Sequence, residues 1–224
     1  MTAKQPAVHD HTYHERCNVL APPTFEPTGE TKTFKQAIED GNWTGSINIW
    51  LYTRTPEPSI IYQIRSPLAL WAPGKLDVAA AGFYSVGQSG LDGLKELKEE
   101  LGVTLPKGAA QFFTRKLAVT QTVKGQERKS CISVYIAEYT GTLEDMAPQE
   151  YEVYGVVRVP IAPLMGIFDG SRESLEVPGI DAHKQPLSYV VTADSFPYNF
   201  DDYQRKMAEY IALKLGVDDA YLGN

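Results

Sequence analysis

Cysteine is scarce in this 224-residue chain, which has only Cys17 and Cys131. Two thiols are too few for a disulfide framework, and both are expected to be free. No apolar run approaches the ~18 residues that a membrane span requires, and the polar first residues lack the apolar core of a secretion signal. Positive charge is short as well. A formal net charge of −7 argues against a nucleic-acid surface, because phosphate backbones demand a basic footprint. It leaves room for a small phosphorylated ligand whose charge a metal ion carries. Internal repeats and low-complexity tracts are also missing. The expectation is a soluble cytoplasmic chain with neither membrane nor nucleic-acid polymer as partner, a homodimer being left open. The length suits one domain with a full core.

The most informative stretch is residues 82–103, GFYSVGQSGLDGLKELKEELGV. Its second half is made of strong helix formers, with Leu94, Leu97 and Leu101 at a period that gives an apolar stripe. Glu96, Glu99 and Glu100 fall close together at helical spacing. Gly102 follows, where a residue without Cβ can take the left-handed stop conformation. Carboxylates this crowded repel one another unless a cation sits among them, and a hard ion such as Mg²⁺ wants such oxygen ligands. An ordinary solvated helix face, with Lys95 and Lys98 offsetting the glutamates, uses the same residues without any metal. The preceding half separates these uses. Gly82, Gly87 and Gly90 mark a loop that follows the apolar residues 78–81, so strand, glycine loop and carboxylate helix come in that order.

This stretch resembles the Nudix box, the loop–helix motif of hydrolases that act on diphosphates with a divalent metal. The helical end, Lys95-Glu96-Leu97-Lys98-Glu99-Glu100-Leu101-Gly102-Val103, follows the family pattern. The loop departs from it: Gln88 stands where the family has Glu, Lys95 where it has Arg, and the spacing between them is one residue shorter. In the family the early Glu pairs with that Arg, so a Gln88–Lys95 hydrogen bond is expected to replace a Glu–Arg fork. INIWLYTR, IIYQIRS and WAPGKLDVAAAG further resemble the branch related to isopentenyl-diphosphate isomerase. That branch places a catalytic Cys before the box glycine and a metal-binding His after it. Here Ala81 and Phe83 occupy those positions, which disfavours isomerisation.

Elsewhere, residues 34–40 read as a short helix, 46–52 and 60–65 as strands, and 76–81 as one strand feeding the box. Residues 111–123 and 128–139 read as a hairpin, and 154–159 as a further strand. Residues 161–186 suggest connecting structure with a short helix, and 202–215 form the last helix, with Tyr203, Met207, Tyr210, Ile211 and Leu215 as its buried stripe. His9, His11, His14 and Cys17 lie within nine residues; they could bind a transition metal, but they lack the paired spacing of structural zinc sites, and a flexible or lightly docked arm is the expectation. Glu150 and Glu152 precede the strand at 154 and resemble the family's acidic loop. Spacing two would point both side chains the same way on an extended chain.

The resemblance implies a Nudix α/β/α sandwich with a mixed sheet, residues 1–33 forming an arm and 34–224 a single domain. It implies hydrolysis of a small-molecule diphosphate with Mg²⁺, or Mn²⁺, held by Glu96, Glu99 and Glu100. Glu99, Glu100, Glu150 or Glu152 would orient or deprotonate water, and Arg65 would contact phosphate. A binding module that has lost turnover is the alternative, motivated by Gln88, Lys95 and the shortened loop.

Overall fold

The computed structural model describes residues 14–69, 71–121, 125–197 and 202–217. In chain order these contain β1 (Arg16–Ala21), β2 (Glu26–Thr33), α1 (Phe34–Glu39), β3 (Trp43–Thr53), β4 (Ser59–Arg65), β5 (Leu76–Asp77) and β6 (Ala80–Phe83). A 3-10 segment, Gly90–Leu94, then leads into α2 (Lys95–Leu101), β7 (Gln111–Gln121) and β8 (Glu127–Glu138). The remainder is β9 (Val153–Pro160), α3 (Ile161–Asp169), β10 (Leu175–Asp181), β11 (Pro186–Val191) and α4 (Tyr203–Leu215).

β3 organises the sheet. It runs parallel to β8 and antiparallel to β1, β4 and β6, so the sheet is mixed. Its alternation decides the two faces. Ile47, Ile49 and Leu51 pack with Leu97 and Leu101 of α2 on one side. Trp50 and Tyr52 pack on the other with Leu164 and Met165 of α3 and Met207, Ala208 and Ile211 of α4. Helices thus cover both faces, as the sandwich expectation required. On this second face the Tyr203 hydroxyl accepts from Trp50 Nε1 at 2.9 Å and from Asn48 Nδ2 at 3.3 Å, tying α4 to β3.

The chain departs from expectation in three places. Within the supposed arm, β1 and β2 form a hairpin that β1 attaches to β3. Pro22 and Pro23 mark its bend, and Pro27 lies within β2 opposite Leu20. Residues 76–81 are split: β5 pairs with β4, whereas β6 pairs with β3, and Asp77 Oδ1 accepts from Val78 N at 2.8 Å where the chain changes partner. Residues 161–186 hold α3 and β10, and β10 and β11 extend the sheet beyond β9. Of the histidine–cysteine cluster, His9 and His11 lie outside the described residues. Cys17 is buried against Phe34 and Ala37, and burial pushes its thiol up to about 11, so it is a packing group. Among the described residues no helix is long and apolar enough to cross a membrane.

Candidate active site

The sheet forks at β3, which pairs with β6 through residues 46–49 and with β4 through 51–53. A cleft of about 220 Å³ opens at this fork and is lined from both faces. Register places Gly82 on the α2 side, opposite Ile47, while Ala81 and Phe83 share the face of Asn48 and Ser46.

α2 lies against the outer edge of β6. A Cβ on Gly82 would stand 2.1 Å from the Glu96 carboxyl carbon, so glycine is what lets this carboxylate rest on the strand. One turn on, Glu100 is 4% exposed. Its Oε1 accepts from Ala81 N at 3.3 Å and its Oε2 from Gln63 Nε2 at 3.2 Å. Glu99 points elsewhere: its side chain is 58% exposed and lies 3.6 Å from Lys95. The expected crowding of all three glutamates is therefore partial, because the 3.6-residue period turns Glu99 away from the buried pair. The expected Gln88–Lys95 bond is not formed either. Gln88 Oε1 accepts from Ser85 N at 3.0 Å and closes a local turn, and Lys95 pairs with Glu96 and Glu99 instead.

The acidic loop is fixed by the end of α2. Gly102 takes a left-handed conformation (φ 69°) and ends the helix. The exposed carbonyls of Glu100 and Leu101 are then met by Gln149 N at 2.8 Å and Ala147 N at 2.7 Å. Residues 149–152 form a tight turn in which Glu152 N donates to Gln149 O at 3.1 Å and to Gln149 Oε1 at 3.0 Å. A turn separates side chains that an extended chain would align. Glu152 enters the cleft, whereas Glu150 is exposed and lies 3.7 Å from His183. The shared direction expected for these two carboxylates is thus corrected, and Glu150 stands apart from the cleft.

Burial is the main influence on the acids inside. It pushes Glu96 up to about 7, with Glu99, Glu152 and Glu15 adding repulsion and Lys95 opposing. Glu100 is held well above the usual carboxylate range by burial and then by Glu152 and Glu96. Glu152 is raised by burial, and Arg65 offsets part of this. Arg65 is itself fixed: Nε donates to Trp71 O at 2.9 Å, Nη1 to Asp77 Oδ2 at 3.2 Å, and its carbon lies 5.2 Å from the Trp71 ring centre.

Several lining residues escaped the sequence reading. Glu15 reaches the cleft from the start of the β1–β2 hairpin and accepts from Ser85 Oγ at 2.8 Å. Asp77 sits under Arg65. Lys116 and Arg128 come from the β7–β8 hairpin, and Gln204 from α4. Only three-dimensional pairing brings these segments together; no local motif marks them.

Among the described residues, no three Asp, Glu, His or Cys side chains already converge as a metal site. The donor chemistry nevertheless fits a hard divalent cation. Glu96, Glu99, Glu100 and Glu152 offer oxygen only, and Glu96 and Glu152 both raise the proton affinity of Glu100, a repulsion that a cation would relieve.

No protein-family model matches the sequence. An uncharacterised Nudix hydrolase of Clostridium acetobutylicum is 28% identical over 194 residues, spanning 84% of this chain and 91% of that protein. Nudix hydrolase 3 of Arabidopsis thaliana is 35% identical over 85 residues, 38% of this chain but 11% of that protein. A crystal structure from Deinococcus radiodurans shares the fold at a TM-score of 0.50 and 19% identity, covering 70% of this chain and 91% of its own. With a box helix seated on its glycine strand, the chain is similar to a Nudix hydrolase over most of its length.

Proposed function

We propose that this chain hydrolyses a diphosphate linked to an organic group, using Mg²⁺ or Mn²⁺ held by Glu96, Glu99 and Glu100. The observation that carries the reading is the buried Glu100 and the half-buried Glu96, backed against the Gly82–Ala81 strand and facing a cleft that Glu152 and Arg65 also line. A protein that needed only stability would not bury repelling carboxylates in an open cleft. When bound, the ion would neutralise diphosphate oxygens and acidify water.

The protein groups divide the remaining work. Ala81 N and Gln63 fix both oxygens of Glu100, so its carboxylate cannot swing away from the cleft. Gly82 holds the Glu96 carboxylate close to the strand. Arg65 keeps N–H donors beyond those spent on Asp77 and Trp71, and its fixed plane suits a phosphate oxygen. Glu152 is the base of choice for water. Burial raises its proton affinity above that of an ordinary carboxylate, and the turn at 149–152 places it in the cleft. Ala81 and Phe83 supply no thiol or imidazole for alkene protonation, so isomerisation lacks its acid at these positions.

The test is to incubate the chain with Mg²⁺ and a panel of organic diphosphates, following phosphate-containing products and double-bond migration separately. Phosphate release that EDTA abolishes is expected. Binding without release would instead favour a non-catalytic module, and migration without release an isomerase.

A further inference from the structure

The cleft is divided by charge. Glu15, Glu96, Glu99, Glu100 and Glu152 share one end with Lys95. Around the edge of β6, on the Asn48 face, the lining changes to Lys116, Thr120, Arg128, Asn48, Tyr203 and Gln204. Asp77 is the acid nearest this side; it is raised by burial and shared between Arg65 and Arg128. The end that would hold the organic group is therefore cationic and rich in hydrogen-bonding groups.

The details favour a polar occupant. Arg128 has its guanidinium carbon 5.1 Å from the Phe83 ring centre and 5.8 Å from that of Trp71, so aromatic rings hold its plane. The Lys116 ammonium lies 4.4 Å from the Tyr203 ring centre, over the residue that anchors Asn48. Gln204 is 4% exposed, lines the cleft, and its Oε1 accepts no hydrogen bond among the described residues. A buried acceptor without a donor costs about 1–3 kcal/mol. A hydroxyl or amide on a ligand would remove that cost, whereas a hydrocarbon chain would leave it in place and desolvate the cations as well.

We propose that the organic half of the substrate carries a hydroxyl donor and a second anionic group, a carboxylate or a phosphate monoester, bound by Lys116 and Arg128 with the donor toward Gln204. The assignment rests on the diphosphate reading of the carboxylate end. It goes further in excluding isoprenoid hydrocarbons as the preferred class.

The test uses the full chain carrying Glu152→Gln, with Mg²⁺ present, and calorimetric titration of three ligands. Mevalonate 5-diphosphate has a hydroxyl and a carboxylate, 5-phosphoribosyl 1-diphosphate has hydroxyls and a second phosphate, and isopentenyl diphosphate has neither. At least one anion-bearing ligand is expected to bind about tenfold or more tightly than isopentenyl diphosphate, and which one does so identifies the acid. Adding Lys116→Met should close the gap to roughly threefold or less, and Lys116→Arg should preserve it. Equal or tighter binding of isopentenyl diphosphate, no measurable binding of any ligand, or a gap that survives Lys116→Met overturns the proposal. Product release by the unmodified chain is scored separately. Release without this preference sinks the inference alone, and the preference without release sinks the hydrolase reading alone.

Discussion

The box helix and the 149–152 turn both leave neighbouring glutamates unequally exposed, by different means. In α2 the difference follows from helical periodicity, which buries Glu100, half-buries Glu96 and leaves Glu99 exposed beside Lys95. In the turn it follows from hydrogen bonds to Gln149, which send Glu152 inward and Glu150 to His183. The helix thus sets its acids by its own geometry, whereas the turn depends on docking against the end of that helix. Acidic composition alone does not tell the enclosed members from the exposed ones.

Substitutions can test this contrast. Glu100→Gln keeps the shape and the Ala81 contact but removes the charge. Turnover is expected to fall by about two orders of magnitude or more with the melting temperature maintained, and near-normal kcat would break the assignment. Gly82→Ala should come next. Its new Cβ meets the flexible end of Glu96, so the fold can yield while the carboxylate is displaced. A loss of roughly tenfold to a hundredfold in kcat/KM with a stability change under about 1 kcal/mol is expected; unfolding without a kinetic defect in the folded fraction would contradict it. Glu152→Gln should cost about tenfold or more in kcat, and Glu150→Gln less than about twofold. A reversed order would mean that the turn presents its acids differently in solution.

The helix also makes a prediction about pH. Glu96 rises from an ordinary 4.5 to about 7 in the folded chain. Between those values the native state keeps a proton that the unfolded chain has released, so this group's contribution to stability falls as pH rises. Glu96→Gln has no such proton to lose. Its advantage over the parent, measured by metal-free melts, should therefore widen from about pH 5 to about pH 8. A constant difference across that range would argue against a buried, repelled carboxylate.

The core of the fold was legible wherever one pattern spoke for itself. β3 and β4 announced themselves by alternation, the β7–β8 hairpin by its β-rich runs, and α2 and α4 by apolar spacing. The hairpin at residues 16–33 was hidden because its polar, proline-bearing strands bury little and owe their place to pairing. β10 and β11 were hidden by Pro178, Gly179 and Pro186, although Gly179 is needed there: a Cβ would come within 2.4 Å of Val156 O. In the site, the box glutamates and Arg65 could be read from a contiguous motif. Glu15, Lys116, Arg128 and Gln204 could not, since they reach the cleft from distant parts of the chain.

The bond from Trp50 to Tyr203 joins groups 153 positions apart and sits directly beneath the cleft. A ribosome finishes the carboxylate-lined wall long before it makes the residue that closes the opposite one. Until α4 emerges and docks, Trp50 has no hydroxyl to receive its indole proton and Gln204 is not yet in place. The two ends of the chain must therefore both be in place before the pocket is complete.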